Sequence, residues 1–322
     1  MTASRPAHET APFTALDWGF LGGAAAIWGS SFLFTAIALD AFAPGVVTLA
    51  RIGFGAVTVA AFPAARRRVD PADRGRLVLL GLFWMALPLT LFPIAQQWID
   101  SSLAGMLNSA MPLMTVLVSR LVFGVATGPR RLVGVAVGFV GIVLIGAPEA
   151  STAGTRALGV LLVVAAVTCY GVAVNLAVPL QQRYGSLPVL ARALGAATVM
   201  VAPFGLLGLG DSSYDTGALL ACAALGAGGT GIAFVFAATL AGRVGPVRTS
   251  IITYAMPVVA IVLGVVFRDE TITAWALIGT VVVLAGAWVA SRADTVASAG
   301  PGTPRRARGV VRPRMDPAPD GP

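Results

Sequence analysis

No lysine occurs anywhere in the 322 residues, and histidine occurs once, as His8 near the start. Without a lysine there is no Gly-x-x-x-x-Gly-Lys-Ser/Thr loop, which excludes the usual nucleotide cradle of an ATP-driven pump. With its one histidine in a polar N-terminal stretch, the chain offers no imidazole relay or His-based metal site in its apolar regions. Cysteine is nearly absent too. Cys169 and Cys222 both lie inside apolar runs, with no metal spacing and no disulfide framework, and read as small core residues. Acidic residues number fourteen, and none falls in the middle of an apolar run. A lipophilic-cation antiporter that depends on an intramembrane carboxylate is therefore disfavoured. No cofactor or metal is expected.

What the chain has in excess is apolar length. Hydrophobic residues make up 57% and charged ones 11%, against about 25% charged in soluble domains. Such a surplus must face lipid. The net charge of +8 comes from arginines in short clusters between apolar runs and near the C-terminus. That distribution suits anchoring at a membrane surface, and no nucleic-acid partner is expected. Runs long enough to span fall near 17–38, 44–64, 76–97, 101–123, 130–147, 157–178, 188–209, 216–240, 246–267 and 274–291. The fold class expected is all-α integral membrane, with ten transmembrane helices. Residues 1–16 read as a retained polar tail and 292–322, rich in Pro, Gly and Arg, as a disordered basic tail. With the N-terminus inside, cytoplasmic loops hold ten arginines and the opposite loops two, Arg156 and Arg268. Both termini are thus expected in the cytoplasm, in the cytoplasmic membrane of a bacterium.

The chain also resembles itself. Shifted by 145, Ala110-Met111-Pro112 falls on Ala255-Met256-Pro257, Gly134 on Gly279 and Gly141 on Gly286. A shift of 141 puts Leu49-Ala50-Arg51 on Leu190-Ala191-Arg192, and one of 142 puts Trp28-Gly29 on Tyr170-Gly171. These matches keep their order along the chain, which indicates a duplication of 17–147 in 157–291. Five spans per copy is an odd number, so the two copies are expected to be inverted repeats. That architecture makes alternating access geometrically natural, with a site near the midplane.

Several residues then stand out. Pro112 and Pro257 each lack a backbone donor and so free the carbonyl four residues earlier, on Asn108 and Thr253. They read either as symmetric hinges beside a substrate or as ordinary packing kinks. Asn108 favours the first reading, because an amide at mid-span is costly against lipid. Met111 lies in the same segment, and Tyr254, next to Thr253, offers a ring and a hydroxyl. Trp28, Ser31 and Thr35 share one helix face, and Tyr170 and Asn175 lie in the corresponding region of the second copy. All of these either line a pathway or pack helices together. Arg51 and its repeat partner Arg192 are buried charges and so candidates for function, Arg51 the deeper of the two; both are also near enough to helix ends to snorkel, and they are read as structural charges. Gly134/Gly141 and Gly279/Gly286 suit close helix packing, within one chain or across a homodimer. The glycine-rich run Gly226 to Gly231, with Gly228 and Gly231, suits a pliable hinge or the close approach of a ligand to its backbone.

The ordered set Trp28-Gly29-Ser30-Ser31-Phe32, Arg51, Asn108 to Pro112, Gly226 to Gly231, Arg243 to Pro246, Ala255-Met256-Pro257 and Asp269-Glu270 resembles the EamA-type transporters of the drug/metabolite transporter (DMT) superfamily, over about residues 17–292. The resemblance implies a pathway between the first four helices of each half, with the fifth of each outside. One departure is clear. The family often carries a glutamate after the fourth span of both halves, but Val125 stands where the first-half counterpart of Glu270 would be. Glu270 is accordingly expected to cap a helix or pack a loop.

The function expected is secondary transport of a small neutral or zwitterionic metabolite, amino-acid-like or drug-like, by alternating access and in the export direction. Its partners would be that small-molecule substrate and membrane lipid. The rival class is a membrane-embedded enzyme or channel acting on a small lipophilic solute. No loop supplies a His, Asp or Glu cluster for an enzyme.

Overall fold

The computed structural model describes residues 12–151, 155–244 and 246–291, and all regular structure among them is helical. His8, the first eleven residues and the basic tail 292–322 lie outside the described residues. The helices are α1 (Ala15–Leu39), α2 (Pro44–Ala60), α3 (Pro71–Ala95), α4 (Ser101–Asn108), α5 (Met111–Leu121), α6 (Pro129–Ser151), α7 (Thr155–Tyr184), α8 (Ser186–Leu207), α9 (Thr216–Val244), α10 (Ile251–Arg268) and α11 (Ala274–Ser291). Eight of these are long and apolar enough to cross a membrane. The pair α4 and α5, bent by 45° at its joint, makes one more if it counts as a single span. Helix α2 is apolar but only 17 residues long, about 26 Å at 1.5 Å per residue, slightly less than a hydrocarbon core. Large aliphatic side chains such as Val57, Val143, Val199 and Leu207 point outward, as lipid contact requires.

The helix ends differ from the expected runs for local reasons. Helix α1 begins at Ala15 because Thr14 and Asp17 form a reciprocal capping box: Asp17 N–H donates to Thr14 Oγ1 at 3.3 Å, and Thr14 N–H to Asp17 Oδ2 at 2.9 Å. Helix α2 stops at Ala60, short of the expected 64, because Pro63 holds Phe62 in an extended conformation (φ −81°, ψ 122°). The run expected at 101–123 is broken at Ser109-Ala110. The run expected at 246–267 opens with a separate turn, Pro246–Thr249, before α10 starts at Ile251.

Contacts between the two halves of the chain dominate the packing. Helix α6 lies antiparallel to α11, with Gly134 beside Gly286 and Gly141 beside Gly279. A Cβ on Gly134 would approach Ala290 N to 2.5 Å, and one on Gly286 would approach Gly134 O to 2.6 Å. Only glycine allows these backbones to meet. Helix α2 packs on α8 and α9, α3 on α7 and α8, α1 on α9 and α10, and α5 on α7. The main buried cluster runs through α1, α3, α4, α7 and α10 and surrounds the site described next.

Candidate functional site

A cavity of about 220 Å³ lies among α1, α2, α3, α4, α5, α7, α9 and α10. Neither α6 nor α11 contributes to it, nor does α8. Two stretches of wider helical winding border it: Leu82–Ala86 within α3 and Ala224–Ile232 within α9, both π-helical. They stand 142 residues apart, close to the shift that relates the two halves. Such π segments re-aim side chains and release backbone groups, and they recur at functional sites. Here the released carbonyl of Gly229 accepts the Trp28 Nε1–H at 2.9 Å, and Thr230 Oγ1 donates back five residues to Leu225 O at 3.3 Å.

Aromatic rings form two walls. Phe234 meets Trp28 and Trp84 edge to face, with centroids 5.2 Å away in each case. On the other side Phe92 stands 5.6 Å from Phe32 and 6.2 Å from Tyr170. The polar groups between the walls are few. Ser31 and Thr35 donate to their own helix, to Ile27 O at 3.1 Å and Ser31 O at 2.7 Å. Asn108 is buried on the cavity, and its amide bonds to no described side chain or backbone group. Gln96 has both amide atoms buried without a partner among the described residues. Arg51 lines the cavity and donates from Nε to Thr230 Oγ1 at a long 3.4 Å.

Of the residues singled out in the sequence, Trp28, Ser31, Asn108, Met111, Tyr170 and Thr253 come together on this cavity. Asn175 and Tyr254 do not. Asn175 is used between helices: its Oδ1 accepts from Ser119 Oγ at 2.7 Å and its Nδ2 donates to Gly171 O at 2.8 Å, tying α7 to α5. Tyr254 packs against the main buried cluster instead. Arg51, read as a structural charge, is a cavity residue. Arg192 is held away from it, donating to the carbonyls of Ala65, Pro188 and Arg67. The prolines expected as a symmetric pair are placed differently. Pro112 sits in the first turn of α5, just past the break, where its missing N–H loses nothing. Pro257 sits inside α10. Gly228 and Gly231 both fall in the π-helical stretch of α9, and Gly231 packs closely on Thr58 of α2.

The cavity is also lined by Trp84, Met85, Leu89, Phe92, Gln96 and Phe234, which had not stood out in the sequence. A signal existed for four of them. Met85, Leu89, Phe92 and Gln96 recur at helical spacing along one face of α3, with an amide at its end. Phe234 carries no such mark in a run of glycine and alanine.

Ionic and capping contacts close both ends of the bundle. At one end Arg243 Nε donates to Asp17 Oδ1 at 2.5 Å, and Arg183 Nη1 and Tyr184 Oη donate to Asp73 Oδ2 at 2.9 and 2.7 Å. At the other, Arg268 grips Asp40 through two bonds of 2.7 and 3.0 Å. There too the Glu270 carboxylate accepts the backbone N–H groups of Ser101 and Ser102, each at 2.9 Å, and so caps α4.

Comparison with known proteins places this arrangement. The model of the EamA-like transporter family matches twice, over residues 18–147 and 157–292. The chain is 27% identical over 267 residues to a protein of Escherichia coli strain K12 described as "Uncharacterized inner membrane transporter YedA", covering 80% of this chain and 85% of that one. It is 26% identical over 270 residues to a Streptantibioticus cattleyicolor protein named "Probable terminal-alkyne amino-acid exporter", covering 82% and 90%. A solved crystal structure superposes with a TM-score of 0.60 at 24% identity, over 85% of this chain and 96% of that one, and so shares the fold.

Proposed function

This chain belongs to the EamA-like transporter family, and from that premise we propose that it exports a small amino-acid-like or drug-like solute by alternating access, through the cavity between α1–α5 and α7–α10. The observation that carries the reading is the cavity itself. It lies between the helices, is walled by aromatic rings and by amides without a partner among the described residues, and draws its lining from both halves of the chain. A membrane enzyme would need a reactive cluster there, and the lining among the described residues offers no His, Cys, Asp or Glu.

We further read the bundle as ten spans in two inverted five-helix repeats, counting α2 as a span and α4 with α5 as one. The paired packing supports this: α1 on α10 answers α7 on α5, and α2 on α9 answers α8 on α3. The double match of one family model supports it as well. In such a design the end contacts at Asp17–Arg243 and Asp40–Arg268 would break in turn as one end opens. The arginine bias of the loops sets both termini on the cytoplasmic side.

Counterflow in proteoliposomes tests the transport reading. Vesicles preloaded with a candidate amino acid should take up the labelled solute transiently, against its gradient and with saturation. Uptake that rises linearly with concentration and shows no overshoot would indicate a channel, and recovery of a chemically altered solute an enzyme. Proton coupling through helix-end groups is a separate question. Substrate-driven proton flux that survives neutralisation of Asp17, Asp100 and Glu270 would rule those groups out.

A further inference from the structure

The cavity holds a charge that no group among the described residues balances. A guanidinium stays protonated in proteins, so Arg51 brings a full positive charge into a space otherwise lined by apolar rings, hydroxyls and amides. Its one hydrogen bond among the described residues is the 3.4 Å contact to Thr230 Oγ1, a neutral group. The carboxylates that could answer it are engaged at the ends of the bundle, Asp17 with Arg243, Asp40 with Arg268, Asp73 with Arg183 and Glu270 on the α4 N-terminus. No carboxylate of the described residues lines the cavity. A cation in such surroundings is expensive when unpaired.

A second observation points the same way. Both amide atoms of Gln96, a residue bordering the cavity, are buried with no hydrogen-bond partner among the described residues, and buried polar groups are rarely left so. The amide of Asn108 faces the same space, again without a side-chain or backbone bond among the described residues. A cation and two amide-bearing residues therefore line the same cavity as the rings of Trp28, Phe234 and Trp84. An arginine fork is matched by a planar anion with two oxygens, which is the geometry of a carboxylate.

Resting on the transporter reading above, we propose that the cargo carries a carboxylate, held by the Arg51 guanidinium, with an apolar body against the Trp28–Phe234–Trp84 wall. The amides of Gln96 and Asn108 take its remaining polar atoms. This narrows the cargo to carboxylate-bearing solutes, zwitterionic or singly anionic, and sets aside uncharged and cationic ones. It also gives Arg51 a role that its repeat partner Arg192 lacks.

The test is a binding series with a fixed phenyl body and a changing head, read as ligand-dependent thermal stabilisation of the purified full-length chain in detergent. The probes are 3-phenylpropionate, L-phenylalanine, 3-phenylpropanol and phenethylamine. On the wild type the two carboxylates should stabilise saturably, and the alcohol and the amine should bind at least about tenfold more weakly, as loss of a charged hydrogen-bonded pair implies. Arg51→Gln should abolish the preference for the acids, and Arg51→Lys should keep it at reduced affinity, because charge remains but the fork is lost. Without ligand, Arg51→Gln should melt no lower than wild type, since it removes an unbalanced charge. Equal stabilisation by the alcohol or the amine would overturn the proposal, as would acid binding that survives Arg51→Gln, or a wild type that ignores both acids. The wild-type series decides the matter even if a variant fails to fold. Flux in proteoliposomes keeps the two readings apart: acids bound but never moved would spare this inference and sink transport, whereas movement of the alcohol or amine alone would do the reverse.

Discussion

Arg51 and Arg192 stand at matching places in the two halves of the chain, 141 residues apart and within the same Leu-Ala-Arg triplet, yet the fold gives them opposite surroundings. Arg192 spends its donors on three backbone carbonyls, two of them at the turn after α2. The carbonyls of Ala65 and Arg67 lie at the end of a helical turn, where carbonyls run short of intrahelical donors, and the guanidinium supplies them. Arg51 finds no such carbonyls; it looks across at α9, where the π-helical stretch presents Gly229 and Thr230. The α8 helix that carries Arg192 lines no part of the cavity, whereas α2 does. The same Leu-Ala-Arg triplet therefore places a clasp in one half and a cavity charge in the other. The lesson is that a repeat conveys position along a helix and not what the side chain meets there.

The strongest way to break this comparison is to neutralise each arginine in turn. Arg51→Gln should lower counterflow of a carboxylate solute by about tenfold or more while leaving the melting temperature near wild type. Arg192→Gln should do the reverse. It should destabilise the fold by about 1.5–3 kcal/mol, the scale of a lost charged hydrogen bond, and leave solute selectivity unchanged. If Arg192→Gln instead alters selectivity at equal folded yield, the division of labour proposed for the two residues is wrong.

Closer probes sharpen the same contrast between clasp and cavity. Glu270→Gln should weaken the cap on α4 and lower stability by about 1–2 kcal/mol, read as a drop in melting temperature without a change in which solutes bind. Asn108→Ala should raise the concentration for half-maximal counterflow several-fold, whereas Tyr254→Ala, which changes a residue outside the cavity, should act on stability rather than on affinity; the ratio of the two effects checks the placement. Smallest of all, Thr14→Ala should cost about 1 kcal/mol through the α1 cap, visible in thermal denaturation and silent in flux.

Much of the fold was legible because lipid imposes simple rules. A run of about twenty apolar residues must be a helix, since nothing else satisfies its backbone in hydrocarbon. The runs at 157–178 and 274–291 needed no more than that to be found. The helix ends were less legible, because they depend on single interactions such as the Thr14–Asp17 box or the extended Phe62 before Pro63. At the site, Trp28, Asn108, Tyr170 and Thr253 stood out as polar or aromatic groups at mid-span, and the fold gathers them. Asn175 looked equivalent by the same argument, but a serine on α5 lies within reach of its amide and uses it. Gln96 was passed over because it ends a run instead of interrupting one.

The sequence by itself determined that this chain lives in lipid, where most of its helices run, that matching segments recur in order in its two halves, and that no carboxylate falls in the middle of an apolar run. Those conclusions rest on composition and spacing, which act locally and need no knowledge of neighbours. Only the tertiary structure decided which face of each helix meets the cavity, that α3 supplies as much of its wall as α1, and that Arg51 is open while Arg192 is tied. Helix windings of 3.6 and about 4.4 residues per turn point the same sequence in different directions, and hydrogen-bond partners come from chain segments more than a hundred residues away. Neither can be read from a run of letters.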